Sequence, residues 1–282
     1  MGLFDWFRPK EPDPRAEDEA RKASGPPAGS NPPGALAMVL LREPVPADGQ
    51  AVLAHLRRQG ALPLLPAITG VREEPGVLVA RIPGGTVKMV SLPAPVPPGD
   101  LEAPVALAWH WPTARDEVAA HRGHVIVHAS STEVRPMDLW RLHTRWVAAV
   151  VATMPALGVY VGDAMMVRSR DDWLDEALAT EGDGLPILLW VGINPVREED
   201  GRVSAYTTGL SSFGIMEMEV RASARPFEEV MGRLVDAALY QVGTDKRLGD
   251  GETFGFSAED RHLVRHLPSR FLPGTRVAVL EW

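Results

Sequence analysis

The sequence predicts an α+β protein, with a ferredoxin-like βαββαβ half at the amino-terminal side and a second α+β layer at the carboxy terminus. Three observations carry that prediction. Between 36 and 129, short apolar runs of strand character are interrupted by segments with helical spacing, in the order of a split βαβ unit. Pro83-Gly-Gly85 separates two such runs, as a hairpin turn does. Two long segments, 135–154 and 226–242, repeat apolar residues at helical period, and strand-like runs stand between and after them. The organisation expected is therefore a linker over 1–34, a first half over 35–130 and a second over 131–282.

Residues 9–34 are rich in proline, glycine and charge. That composition offers too little apolar surface to offset the entropy of ordering, which predicts a disordered linker. Ahead of it, Phe4, Trp6 and Phe7 could form an aromatic hook for a partner or a membrane surface, or a frayed end. From Ala35 the pattern is regular. Ala37–Leu41 suits a buried strand, Asp48–Gln59 a helix carrying Val52, Leu53 and Leu56 inward, and Gly60 its stop. Val77–Ile82 and Thr86–Leu92 flank the hairpin turn, and 93–99 is a proline-rich loop. Helices around Leu101–Trp109 and Thr113–His121 lead to a strand at His124–His128.

In the second half, Pro136 in the first turn opens a helix whose stripe is Leu139, Leu142, Trp146, Val147, Val150, Val151 and Met154. Strands are expected at Gly158–Val161, Ile187–Ile193, Val203–Thr207, Ile215–Arg221 and Arg276–Glu281, with helices at Arg170–Ala179 and Pro226–Val242.

Composition excludes several chemistries. Hydrophobic content of 45% with 23% charged residues is ordinary for a globular chain of 282 residues. A net charge of −8 lacks the basic footprint that nucleic acid or anionic lipid requires. The absence of cysteine removes disulfides, thiolate catalysis and thiolate-held metal together. The longest apolar run, Trp146–Met154, is far short of the roughly 18 residues of a membrane span. The first residues lack the features of a secretory signal, so the expected compartment is the cytoplasm.

No residue set reads as a metal or cofactor site. His124 and His128 on a strand stand roughly 13 Å apart and cannot share an ion. His262 and His266 meet the same objection if they lie on a strand. His110 between Trp109 and Trp111, and His143 beside the apolar stripe, read as packed histidines. Gly209-Leu-Ser-Ser-Phe-Gly has phenylalanine where a nucleophile elbow needs its second glycine, and there is no phosphate loop.

What remains is a pair of glycine-rich segments. Tyr206, Thr207, Gly209, Leu210, Phe213, Gly214, Glu217 and Glu219 form the first; Asp250, Gly251, Thr253, Gly255 and Phe256 form the second. Their order and the helix between them resemble the bacterial DUF4261 domain, with Glu252 where aspartate is commoner. The resemblance spans about 100 carboxy-terminal residues and implies a family without an established reaction. Some of its members stand near bacterial secretion or toxin systems, which implies an immunity or accessory role. On the residues themselves, Met216, Met218 and Val220 alternate with Glu217, Glu219 and Arg221. At period two this predicts a half-buried strand with a wet acidic face.

The expected function is a non-catalytic protein-binding factor without cofactor. Its binding residues are expected to be Tyr206, Thr207, Ser211, Phe213, Glu217, Glu219, Asp250 and Thr253. The alternative is a hydrolase or transferase that uses a carboxylate cleft among Glu217, Glu219, Asp250 and Glu252, one carboxyl being kept protonated by nearby phenylalanines. A third reading is an adaptor tethered by residues 1–34.

Overall fold

The structure is a computed structural model that describes residues 34–58, 68–178, 184–255, 257 and 260–281. The expectations for residues 1–33, for Gly60 and for Phe256 lie outside the described residues.

Among the described residues, two sheets and seven α-helices give the α+β class the sequence predicts. The first sheet contains β1 (Gly34–Leu41), β2 (Gly70–Glu74), β3 (Val77–Ile82), β4 (Gly85–Leu92), β5 (Gly123–Ser131), β6 (Ala156–Val161) and β7 (Met166–Ser169), in the spatial order 2-3-4-5-1-6-7. Every neighbouring pair in it is antiparallel. Residue 130 falls inside β5, and β6 and β7 extend this sheet to Ser169.

The split βαβ arrangement is not adopted. In that arrangement β4 would be the antiparallel neighbour of β1, lying between it and β3; here β5 stands between β1 and β4, antiparallel to both. The reason lies in the connection 93–122, which contains α2 (Pro98–Ala106) and α3 (Ala114–Ala119). It buries Val96, Leu101, Trp111 and Val118 on the face of the sheet that carries Leu40 and Val167. The opposite face is taken by α1 (Gly49–Arg58) and α4 (Pro136–Thr153), whose Val52, Leu56, Trp146 and Val150 meet Ala37, Val39, Val125 and Val127. A chain that returns on the far face can re-enter antiparallel to the strand it left, so no crossover is needed.

Alternation sets these faces. Ala35, Ala37, Val39 and Leu41 of β1 point to α1 and α4, and register pairs Val39 with Val125 and Ala37 with Val127. His124 and His128 fall on the other parity, paired with Leu40 and Leu36. His124 Nδ1 bonds to the Ala94 carbonyl at 2.7 Å, and the Val96 N–H donates to His121 Nε2 at 2.8 Å. These rings tie down the proline-rich loop. His143 is fully buried, with Nε2 donating to the Val127 carbonyl at 3.0 Å, and burial holds its pKa down to about 4. No group of three or more metal-ligating side chains occurs among the described residues. None of the described helices is long and apolar enough to cross a membrane.

The second sheet holds β8 (Gly192–Arg197), β9 (Val203–Thr208), β10 (Met218–Ser223), β11 (Thr253–Phe254), β12 (His262–Pro268) and β13 (Arg276–Glu281), in the order 11-12-13-10-9-8. Among the described strands of this sheet, β10 and β13 pair in parallel and the other neighbours antiparallel. The helix α7 (Phe227–Thr244) covers one face, where Val230, Leu234 and Ala238 join the same apolar cluster as Ala205, Val220, Val264 and Leu280.

Two predicted strands are corrected. Ile187–Ile193 is not one strand: Ile187–Trp190 forms a single helical turn, α6, following α5 (Arg170–Leu178), and β8 begins at Gly192. The turn drives Trp190 into the core, where its indole donates to Thr144 Oγ1 at 2.8 Å. Ile215–Arg221 begins as a strand only at Met218, because 215–217 complete the corner described below.

The helix α4 is buried almost all round, beyond the single stripe its periodicity predicts. Its back carries Trp140, which packs 5.6 Å from Phe213 and 6.4 Å from Trp190. Here the first sheet's helix meets the second sheet's corner, and one apolar cluster runs through both.

Candidate functional site

The first glycine segment makes a tight corner. β9 ends at Thr208, Gly209 has φ 101°, a 3-10 turn spans Leu210–Phe213, and Gly214 has φ 64°. Both glycines occupy the left-handed region that residues with a Cβ avoid. At Gly209 space is closed as well, since a Cβ would stand 2.5 Å from the Trp190 carbonyl oxygen. The side chain of Phe213 points inward and lies 5.6 Å from both Trp140 and Trp190.

Glu217 holds this corner from within. One carboxylate oxygen accepts the Gly209 and Ser211 N–H groups at 3.0 Å each; the other accepts the Thr207 hydroxyl at 2.8 Å. Thr207 Oγ1 in turn accepts the Met218 N–H at 2.8 Å. Glu217 is 6% exposed and Thr207 is fully buried. A carboxylate that collects three donors replaces most of the hydration it gives up, and backbone N–H groups stabilise its charge.

Glu219, also fully buried, has a separate set of donors. Arg221 pairs with it at 2.7 Å, the Ser269 hydroxyl donates to it, and the Arg270 N–H donates at 3.1 Å. Glu219 stands opposite Tyr206 across the β9–β10 ladder, and the Tyr206 ring stacks on Phe271 at 5.0 Å. Burial, and next the Glu219 charge, raise the pKa of the Tyr206 phenol.

The predicted acidic strand face open to water is therefore overturned. Glu217 and Glu219 are interior groups, because β10 is covered on both sides: by α7 on one, and on the other by the loop carrying Ser269 and Phe271.

In the second segment, Asp250 accepts the His266 N–H at 2.8 Å, and Gly251 at φ 82° donates its N–H to the Val264 carbonyl. Thr253 is exposed on β11, while Phe254 is buried against Tyr240. Gly255 leaves no room for a Cβ, which would overlap the Asp260 carbonyl oxygen. Arg247 joins this segment to the first corner: its guanidinium donates to the Phe213 and Gly214 carbonyls at 2.9 and 3.0 Å.

Of the eight predicted binding residues, Ser211, Asp250 and Thr253 are exposed, whereas Tyr206, Thr207, Phe213, Glu217 and Glu219 are buried. The acids do not converge. Glu217, Glu219, Asp250 and Glu252 each take their own donors and share none. Sequence reading missed Arg247, Ser269, Arg270 and Phe271. Each lies in a segment without periodicity, so no pattern distinguished them from loop residues.

Residues 206–282 match the family model described as a domain of unknown function, DUF4261. The chain carries a DUF4261 domain. The match begins at Tyr206, so β8 and the first half of β9 precede it although they belong to the same sheet. Within the DUF4261 segment, both glycine corners and both buried glutamates serve the architecture just described. No curated protein and no solved structure matches the chain.

Proposed function

We propose that this protein is a non-catalytic protein-binding factor whose partner docks on the outer rim of the two glycine corners. One observation carries the reading: the two glutamates of the first motif spend their hydrogen-bonding capacity inside the fold. Glu217 and Glu219 each accept three internal donors, which leaves neither oriented toward a substrate. A carboxylate-based hydrolase or transferase would need such a group free in a cleft, so that alternative has less support. Ser211, Asp250 and Thr253 remain exposed on corners that Arg247 fastens together. Rigid, solvent-facing loops on a packed scaffold are where recognition residues are commonly placed. An immunity or accessory role in a secretion or toxin system would supply a protein partner for such a rim.

The test is cross-linked co-purification of the full chain beside the triple variant Ser211→Ala, Asp250→Ala, Thr253→Ala. The expected result is a partner captured by the natural chain and lost by the variant, with unfolding midpoints that agree closely. Capture of the same protein by both would remove the rim from consideration. Substrate turnover that disappears in the variant would favour the enzyme instead.

A further inference from the structure

On the first sheet, away from the glycine corners, the residues after β1, the start of β6 and the β7–α5 junction enclose a cleft of about 380 Å³. That volume lies in the range of small-molecule sites. Trp111 forms part of its wall, seated so closely on Gly158 that a Cβ there would stand 2.7 Å from the indole. Most charges around the cleft are already engaged. Glu117 accepts the Trp111 N–H at 3.3 Å and the Thr113 hydroxyl at 2.5 Å, and Arg170 pairs with Asp171 at 2.8 Å. His110 is held neutral, its pKa brought down to about 4 by burial and by Arg168.

Two further opposite charges face the cleft, Arg42 and Asp172, the latter also acting on the charge of the nearby buried Arg168. Neither the exposed Arg42 guanidinium nor the half-buried Asp172 carboxylate makes a hydrogen bond or ion pair with any described residue, and they do not pair with each other. Two unlike charges that line one cleft yet stay beyond ion-pair reach define a cationic pole and an anionic pole. A plain anion would meet Asp171 and Asp172; a plain cation would meet Arg42 and Arg170. A ligand with both signs satisfies both poles and gains a charge-assisted bond at each. We propose that this cleft binds a small zwitterion of the free α-amino acid class, its carboxylate on Arg42 and its ammonium on Asp172.

The experiment is calorimetric titration of the full chain with each of the twenty free amino acids, with acetate and ethylamine as single-charge controls. The expected result is saturable binding by at least one amino acid and by neither control at the same concentration. Arg42→Gln and Asp172→Asn should each weaken that binding by roughly tenfold or more, the loss of one charge-assisted bond. Arg42→Lys should retain part of it, which separates charge from folding should a neutral variant prove unstable. Absence of saturable heat with all twenty would overturn the proposal. So would acetate binding as tightly as the amino acids, or affinity unchanged in both neutral variants.

Discussion

The Glu217 carboxylate and the Thr207 hydroxyl lie 2.8 Å apart in the interior, joining the strand that enters the first glycine corner to the one that leaves it. The same carboxylate gathers two backbone N–H groups of the turn between them. Local geometry and a long-range strand pairing therefore depend on one side chain.

Replacing that side chain strands its donors. Glu217→Ala should lower stability by about 2–4 kcal/mol, because buried N–H and O–H groups lose their acceptor. Glu217→Gln keeps one acceptor oxygen and should lose less. Urea unfolding of the three proteins measures the order, and a Glu217→Ala variant within about 0.5 kcal/mol of the natural chain would contradict it.

Gly209 and Gly201 separate strain from collision. Both have positive φ, at 101° and 83°, yet a Cβ meets nothing within 4 Å at Gly201 and a carbonyl oxygen at 2.5 Å at Gly209. Gly201→Ala should cost about 1–2 kcal/mol, the left-handed penalty alone. Gly209→Ala should cost clearly more or prevent folding. Equal losses in thermal or urea unfolding would show that the Trp190 carbonyl yields easily.

His143 makes stability depend on pH in a definite direction. Its folded pKa is about 4 against an ordinary value of 6.5. Between those values the unfolded chain binds a proton that the folded chain refuses, so stability falls as pH drops from about 6.5 to about 4. Above that window the contribution is fully present. His143→Gln should reduce the slope by up to one proton, about 1.4 kcal/mol per pH unit at most. An unaltered slope in urea unfolding across that window would mean that His143 does not titrate on unfolding.

Arg247 links the corners through two carbonyls that have no other acceptor role in the turn. Arg247→Ala should cost about 1 kcal/mol in urea unfolding, because the bond to the Gly214 carbonyl is exposed, where water can replace the guanidinium, and the one to Phe213 is only part-buried. Amide exchange at Leu210–Phe213 should nevertheless quicken, with little change in the α4 core. Uniform acceleration across the chain would indicate a global effect instead.

Much of the fold was legible before any coordinates. The helices at 49–58, 136–153 and 227–244 follow from apolar spacing, and the β3–β4 hairpin from Pro83-Gly-Gly85, because period and turn chemistry are local properties. The glycine corners rest on equally local chemistry: glycine takes positive φ without steric cost, and Gly209, Gly214 and Gly251 have it. Less legible were Ile187–Trp190, where a short apolar run fits a strand or a buried turn equally, and β12, whose His262–Pro268 segment carries its histidines on one parity and Arg265 on the other. The fate of Glu217 and Glu219 was not legible at all. Alternation assigned them a common face, but Glu217 is covered by the corner that folds back over it, and Glu219 by the loop carrying Ser269 and Arg270, fifty residues away.

Residue order alone settled the α+β class, the main helices and strands, the left-handed corners and the exclusion of cysteine chemistry, since each rests on neighbours within a few positions. Strand order, the burial of Glu219, the Arg247 bridge and the cleft between Arg42 and Asp172 arise from segments far apart in the chain. Long-range packing chooses among the pairings that local patterns permit, and it does so by which of them covers apolar surface while giving every buried polar group a partner.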